Sequence, residues 1–160
     1  MPFFIFMIEI HKAAASDIED LAPLFDDYRI FYRQASDLTA AASFLRQRID
    51  NEQSTIFMAK LKDRAVGFTQ LYPIYSSVSL LPLHVLNDLY VDELSRGFGI
   101  ATLLINEAKS FAIERGSKGL ILETHKDNPA QQLYERLGFV KDQTYLHYAW
   151  SSPGLEESPS

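Results

Sequence analysis

The chain has 160 residues, 47% hydrophobic and 12% aromatic, enough to bury the core of one domain. It contains no cysteine, which excludes disulfides, thiol nucleophiles and cysteine-based zinc sites. Its formal net charge of −6 argues against non-specific nucleic-acid binding, which needs a basic face, and mildly favours a cationic substrate, although acidity also serves plain solubility.

The first six residues, Met1 to Phe6, are apolar but lack a basic start and are too short for a signal or a membrane span. They read as an extension or as the lead into a first strand, with Met7 as an alternative start, and the protein is expected to be cytoplasmic with no membrane partner. Ile8 and Ile10 begin that strand. Ser16-x-x-Glu19 reads as a capping box, and apolar residues recur with helical spacing at Ile18, Leu21, Phe25, Tyr28 and Tyr32. A second helix starts near Ser36 or Asp37 and carries Leu38, Ala41, Leu45 and Ile49 on one face. Thr55 to Lys60 and Val66 to Tyr72 read as strands joined by Lys62-Asp63-Arg64. Pro73 and Pro82 are expected to bracket an irregular segment, because proline donates nothing to a sheet ladder. His84 to Val91 is the next strand.

A long helix is expected from Gly97 to about Arg115, stopped at Gly116. Leu120-Ile121-Leu122 reads as a short strand covered on both faces. Asn128 and Pro129 suit the cap and first position of a short helix that ends at Gly138. Phe139 to Val140 and Tyr145 to Trp150 are expected to finish the sheet. Residues 1–150 form the domain, and 151–160 is a Ser/Pro/Glu tail with little to bury, expected to be mobile. No internal repeat is found. His11, His84, His125 and His147 show no metal-ligand spacing, and no metal is expected.

The segment Arg96-Gly97-Phe98-Gly99-Ile100-Ala101-Thr102 carries the first chemical signal. Two glycines before a helix let backbone approach a ligand, and the helix start points unpaired N–H groups at it, a ready phosphate site. The backbone of Gly97, Gly99, Ala101 and Thr102 would cradle a pyrophosphate, Thr102 adding a hydroxyl and Arg96 a charge. An ordinary glycine-opened helix reads the same way. So does a dinucleotide site, with Glu123 mimicking its ribose-binding acid, but Thr102 stands where that motif needs a third glycine.

Taken with Ala130-x-x-Leu133-Tyr134-Glu135-x-Leu137-Gly138-Phe139, this segment resembles the Gcn5-related N-acetyltransferase (GNAT) family, strongly from Leu86 to Trp150 and earlier only in the order of elements. Leu86 to Val91 with Arg96 to Ile100 resembles the polyamine (diamine) acetyltransferases. Gly67 to Pro73 with Ser76-Ser77 is more like a branch that includes a yeast histone/polyamine enzyme. The resemblance implies an α+β fold: a mixed, mostly antiparallel sheet of about seven strands with about four helices. It implies acetyl-CoA as co-substrate, its pyrophosphate on the segment from Arg96 to Thr102, including Phe98 and Ile100, and its thioester beside a splayed strand at Leu89, Tyr90 and Val91.

The same resemblance places Tyr134 as general acid for the departing thiolate. A free phenol has a pKa of about 10 and a thiol about 8.5, so Tyr134 needs a lowered pKa or acts as a hydrogen-bond donor. An alkylamine with a pKa of about 10.4 is neutral in roughly one molecule in a few thousand at pH 7, so a base or a water relay helps. Asp88 and Glu123 are the carboxylates on core strands near the motifs; Asp88 orients the amine or a water, or merely caps backbone. Asn87 stands where the polyamine enzymes are implied to hold a proton-relaying Glu, and Asn cannot take a proton. The family's usual asparagine position, counted back from Tyr134, falls on Asp127, so Asn128 either contacts the pantetheine arm or only caps its helix.

The acceptor pocket is expected to draw on Tyr28, Phe31, Tyr32, Tyr72 and Tyr75, aromatic faces that hold a cation or simply pack the core. The expected reaction is direct transfer from acetyl-CoA to a primary amine of a small molecule, with no acyl-enzyme. Small polyamines lead; amino acids, aminoglycosides and protein lysines or N-termini follow. A non-catalytic acyl-CoA sensor is the alternative of a different class. A homodimer is expected because the family often pairs.

Overall fold

The computed structural model describes residues 7–155. Strand β1 is Ile8–Lys12, followed by helices α1 (Ile18–Phe31) and α2 (Leu38–Asp50), strands β2 (Thr55–Leu61), β3 (Arg64–Ser76) and β4 (Leu81–Val91), helix α3 (Ile100–Glu114), strand β5 (Leu120–Ile121) and helix α4 (Gln131–Arg136). The strands form one sheet in the order β1-β2-β3-β4-β5, with β4 and β5 parallel and the other neighbours antiparallel. This is the expected α+β architecture with four α-helices, but with five strands among the described residues rather than about seven.

Alternation along the strands splits the core in two. Ile56, Met58 and Phe68 face α1 and α2, where they meet Leu21, Phe25 and Leu45. Phe57, Ala59, Val66, Leu71 and Leu86 face α3, where they meet Ile100, Leu104, Ile105 and Ala108. Gly67 lets α3 lie close: a Cβ there would stand 3.1 Å from the Tyr90 carbonyl oxygen and 3.2 Å from Ile100 Cγ2.

Several expected boundaries move, each for a local reason. The cap before α1 is not Ser16. The Asp17 carboxylate accepts the Ala14 N–H at 2.8 Å, and a 3-10 turn over Ala15–Asp17 leads into the helix. The second cap is where it was expected, with Asp37 Oδ1 accepting the Ala40 N–H at 2.9 Å. Helix α3 starts at Ile100 rather than Gly97, because Gly97 and Gly99 have φ of +83° and +81°, outside the helical region. At its other end Gly116 N–H bonds Ile113 O and Ser117 N–H bonds Ala112 O, a complete Schellman stop. Helix α4 begins at Gln131, two positions after the expected one, while Asn128 Oδ1 still accepts the Ala130 N–H at 2.9 Å.

Pro73 and Pro82 do not bracket an irregular segment. Both lie within strands, Pro73 opposite His84 and Pro82 opposite Tyr75. The β2 pairing ends at Leu71 and the β5 pairing covers only His84 and Val85, so each proline lies where its strand has one open side and no ladder donor is needed. Residues 151–155 are exposed and lie outside helices and strands, and the rest of the expected tail, residues 156–160, like Met1 to Phe6, lies outside the described residues.

Phe139–Val140 and Tyr145–Trp150 do not join the sheet. Strand β5 pairs at only two positions, which offers little ladder to extend, and Asp142 Oδ1 accepts the N–H groups of Thr144 and Tyr145 at 2.7 and 3.1 Å to form a turn instead. The exposed side chain of Ile121 also shows that β5 is not covered on both faces.

Candidate active site

Strand β4 holds the centre of the site. Its register against β3 pairs Leu71 with Leu86 and Gln70 with Asp88, so Asn87 is the extra residue of a β-bulge. The bulge turns Asp88 onto the α1 face alongside Tyr90, whose partner on β3 is Phe68. On its other side β4 pairs with β5 only at His84 and Val85. From Leu86 to Val91 the strand has no β5 partner among the described residues.

Asp88 is only 4% exposed. Gln70 Nε2 donates to its Oδ2 at 2.6 Å, Asn87 Nδ2 donates to its Oδ1 at 3.0 Å, and the Tyr28 hydroxyl donates to the same carboxylate. Burial raises the Asp88 pKa above the ordinary carboxylate value, and these three donors pull against it. The carboxylate in turn acts on its aromatic neighbours. Burial and then the Asp88 charge raise the hydroxyls of Tyr28, Tyr32 and Tyr72, the last to about 12. All three therefore stay protonated and able to donate.

The aromatic residues expected in the acceptor pocket divide. Tyr28 packs edge-on against Tyr32 at 5.0 Å and Phe68 at 5.7 Å, and Phe31 lies beside Tyr32 and Tyr90. Tyr72 joins them through Asp88. Tyr75 does not: it is 79% exposed near the end of β3. Glu123 also stands apart from this cluster, its exposed carboxylate 3.0 Å from His147 Nδ1. Asn87 holds Asp88 in place as a donor.

Tyr134 lies on α4, half-buried, packed edge-on against Phe139 at 5.9 Å. Burial, then the neighbouring Tyr32, raises its pKa. The direction of that shift favours the protonated hydrogen-bond donor over an acid of lowered pKa. Asn128 spends its side chain locally, Nδ2 on Thr124 Oγ1 at 2.9 Å and Oδ1 on Ala130 N–H. It bonds the backbone just before α4, whose cap position is Ala130 rather than the expected Asn128. Asp127 is exposed and lies against His125.

At the start of α3 the first helical bond runs from Leu103 N–H to Gly99 O, leaving the N–H groups of Ile100, Ala101 and Thr102 without an intrahelical partner. A Cβ at Gly97 or Gly99 would meet nothing within 4 Å, so the loop is open on that side. This open arc of backbone fits a pyrophosphate. Arg96 is turned elsewhere: its Nε donates to Val91 O at 2.9 Å and its guanidinium lies over the rings of Tyr90 and Phe31, at 5.4 and 5.7 Å. A cavity of about 980 Å³ opens between the first half of α1, the β2–β3 turn and Asp92, and shares no residue with the Asp88 cluster.

Sequence reasoning missed Gln70. It is fully buried in β3 and bonds the centre of the site. The available signal was the polar pair Thr69-Gln70 inside the apolar run from Val66 to Leu71. Thr69 faces the other way and ties its hydroxyl to the Asp88 carbonyl at 2.8 Å.

Known proteins resemble this chain in sequence and fold. The chain is 43% identical over 147 residues to an uncharacterized N-acetyltransferase, YhfO, of Bacillus subtilis, covering 91% of this chain and 99% of that one. It is 31% identical over 141 residues to a probable acetyltransferase of Haemophilus influenzae, covering 80% and 97%. A crystal structure of a probable acetyltransferase superposes with a TM-score of 0.85 at 37% identity, over 90% of this chain and 98% of the other. A family model described as acetyltransferase (GNAT) family matches residues 18–139, and with these relatives it shows that the chain belongs to the GNAT family of acetyltransferases.

Proposed function

We propose that this chain transfers an acetyl group from acetyl-CoA, the family's co-substrate, directly to a primary amine, with small polyamine-like molecules as the leading acceptors. The observation that carries this reading is the buried Asp88 carboxylate, bonded by the Tyr28 hydroxyl and near those of Tyr32 and Tyr72, on the stretch of β4 that has no β5 partner. Aromatic faces around a carboxylate suit a cationic amine before it loses its proton.

When bound, acetyl-CoA supplies the thioester, and the open backbone arc from Gly97 to Thr102 would hold its pyrophosphate. Asp88, with its pKa raised by burial, is a better proton acceptor than a free carboxylate and takes one proton from the ammonium. An N–H on the unpaired edge of β4, between Leu89 and Val91, polarises the carbonyl under attack; such a fixed donor is worth about 3–4 kcal/mol in hydrolases. The Tyr134 hydroxyl donates to the departing sulfur as the C–N bond forms and the C–S bond breaks. The second proton lost by the nitrogen balances the one that the departing thiolate takes up, and Tyr134 ends as it began, protonated.

The test is release of CoA thiol from acetyl-CoA across spermidine, spermine, putrescine, an aminoglycoside, amino acids and a histone-tail peptide, with Tyr134→Phe as control. Release with a small polyamine, lost in the variant, supports the reading. Release only with peptide or aminoglycoside moves the acceptor class. Tight acetyl-CoA binding with no release for any amine favours a sensing module.

A further inference from the structure

We propose that Gln70 is a positioning residue for proton removal from the acceptor amine: its amide nitrogen fixes Asp88, and its oxygen holds the water that connects the amine to that carboxylate. This rests on the amine-acetyltransferase reading above.

Gln70 is fully buried, on the same face of β3 as Phe68 and Tyr72. Its Nε2 is 2.6 Å from Asp88 Oδ2. Its Oε1 is buried and has no hydrogen-bond partner among the described residues. Buried polar atoms are rarely left so, and one beside a reacting group calls for a donor. Flipping the amide would not help, because the oxygen would then face an ionised carboxylate, acceptor against acceptor. Ionised Asp88 therefore fixes the amide and aims its oxygen at whatever brings a proton.

Asp88 itself is too deeply buried to meet a bulky amine directly. A water spans the gap, and the surroundings are polar enough to hold one. Tyr28 bonds the carboxylate from α1, and the hydroxyls of Tyr32, just past α1, and Tyr72, on β3, lie near enough to feel its charge, the last also beside the Gln70 amide. The Arg48 charge on α2 acts on Tyr72, and Asn87 completes the shell from β4. In the step itself an N–H bond of the ammonium breaks, the water passes one of its protons on, and an O–H bond forms on Asp88. The neutral amine is left to attack.

A mere tether would look different. Thr69 is one: its hydroxyl is fully used by the Asp88 backbone. Gln70 ties the side chain that reacts and keeps one oxygen unspent.

The test compares wild type, Gln70→Leu, Gln70→Glu and Asp88→Asn by the pH profile of kcat/KM for the best amine, with acetyl-CoA affinity and Tm alongside. Loss of the donor in Gln70→Leu is expected to raise the acid limb by about one pH unit and lower the plateau roughly tenfold or more, while acetyl-CoA affinity holds. Gln70→Glu, which keeps an acceptor oxygen but adds a second carboxyl, is expected to move the limb further up and to regain more of the plateau at high pH. Carbon-13 carboxyl NMR of Asp88 reads the same limb shift if a variant turns over too slowly. A wild type that turns over, with the Gln70→Leu limb and plateau unmoved and only Tm lowered, overturns this proposal alone. A wild type silent toward every amine overturns the functional reading and this proposal with it.

Discussion

Two hydroxyl- and carboxyl-bearing side chains divide the chemistry by their surroundings. Asp88 is held above the ordinary carboxylate pKa by burial, so its basic form is lost as pH falls through that raised value. The expected profile of kcat/KM therefore has an acid limb above the normal carboxylate range, and Asp88→Asn removes the limb and lowers kcat by about 100-fold or more. Tyr134 is pushed up by burial and remains a donor. Tyr134→Phe is expected to lower kcat by about 100-fold with acetyl-CoA affinity, measured by calorimetry, unchanged; unchanged turnover removes Tyr134 from the mechanism. Tyr134 and Asp88 were legible as candidates because each lies inside a motif. Gln70 was not, because a glutamine in an apolar strand shows neither which face it takes nor which carboxylate lies across from it until the bulge at Asn87 fixes the register. Tyr75 and Glu123 lie away from the Asp88 cluster for the converse reason: proximity in sequence to Tyr72 and to β5 says nothing of the direction in which a side chain near a strand end points.

At the scale of elements, two joints set the site. Gly67 allows the first turn of α3 to sit within contact of β3 and β4. A side chain there overpacks backbone and the Ile100 and Leu104 side chains, so Gly67→Val is expected to cost about 1–3 kcal/mol and to weaken acetyl-CoA binding by displacing the open backbone arc; thermal unfolding and calorimetry check this. The second joint is between α1 and α2. Asp26, buried, accepts from Ser36 Oγ at 2.6 Å, from Asp37 N–H at 3.0 Å and from Arg29. Chiefly the Ser36 bond, then the Asp37 N–H, lowers its pKa. A lowered carboxylate contributes stability that is present above the unfolded pKa and lost as pH falls through the folded one. Asp26→Asn is thus expected to melt below wild type at neutral pH, with the gap closing in acid; a gap constant with pH contradicts that account. The helices themselves were legible from their spacing, and α2 from its cap. The C-terminal strands were not, because alternation in Tyr145 to Trp150 describes a strand-capable segment and cannot show whether β5 offers an edge long enough to receive it.

For the whole molecule, β4 acts as a partition. The aromatic cluster and Asp88 lie on its α1 face, while β5 pairs with it only at His84 and Val85 and the start of α3 leaves backbone N–H groups without an intrahelical partner. On the proposed reading both substrates are held at once, and with no cysteine in the chain the acetyl group passes without a thioester intermediate on the protein. Initial velocities measured over a grid of acetyl-CoA and amine concentrations test this most directly. The account predicts intersecting double-reciprocal lines, the mark of a complex containing both substrates. Parallel lines, the mark of an acetylated enzyme that forms before the amine binds, would contradict it.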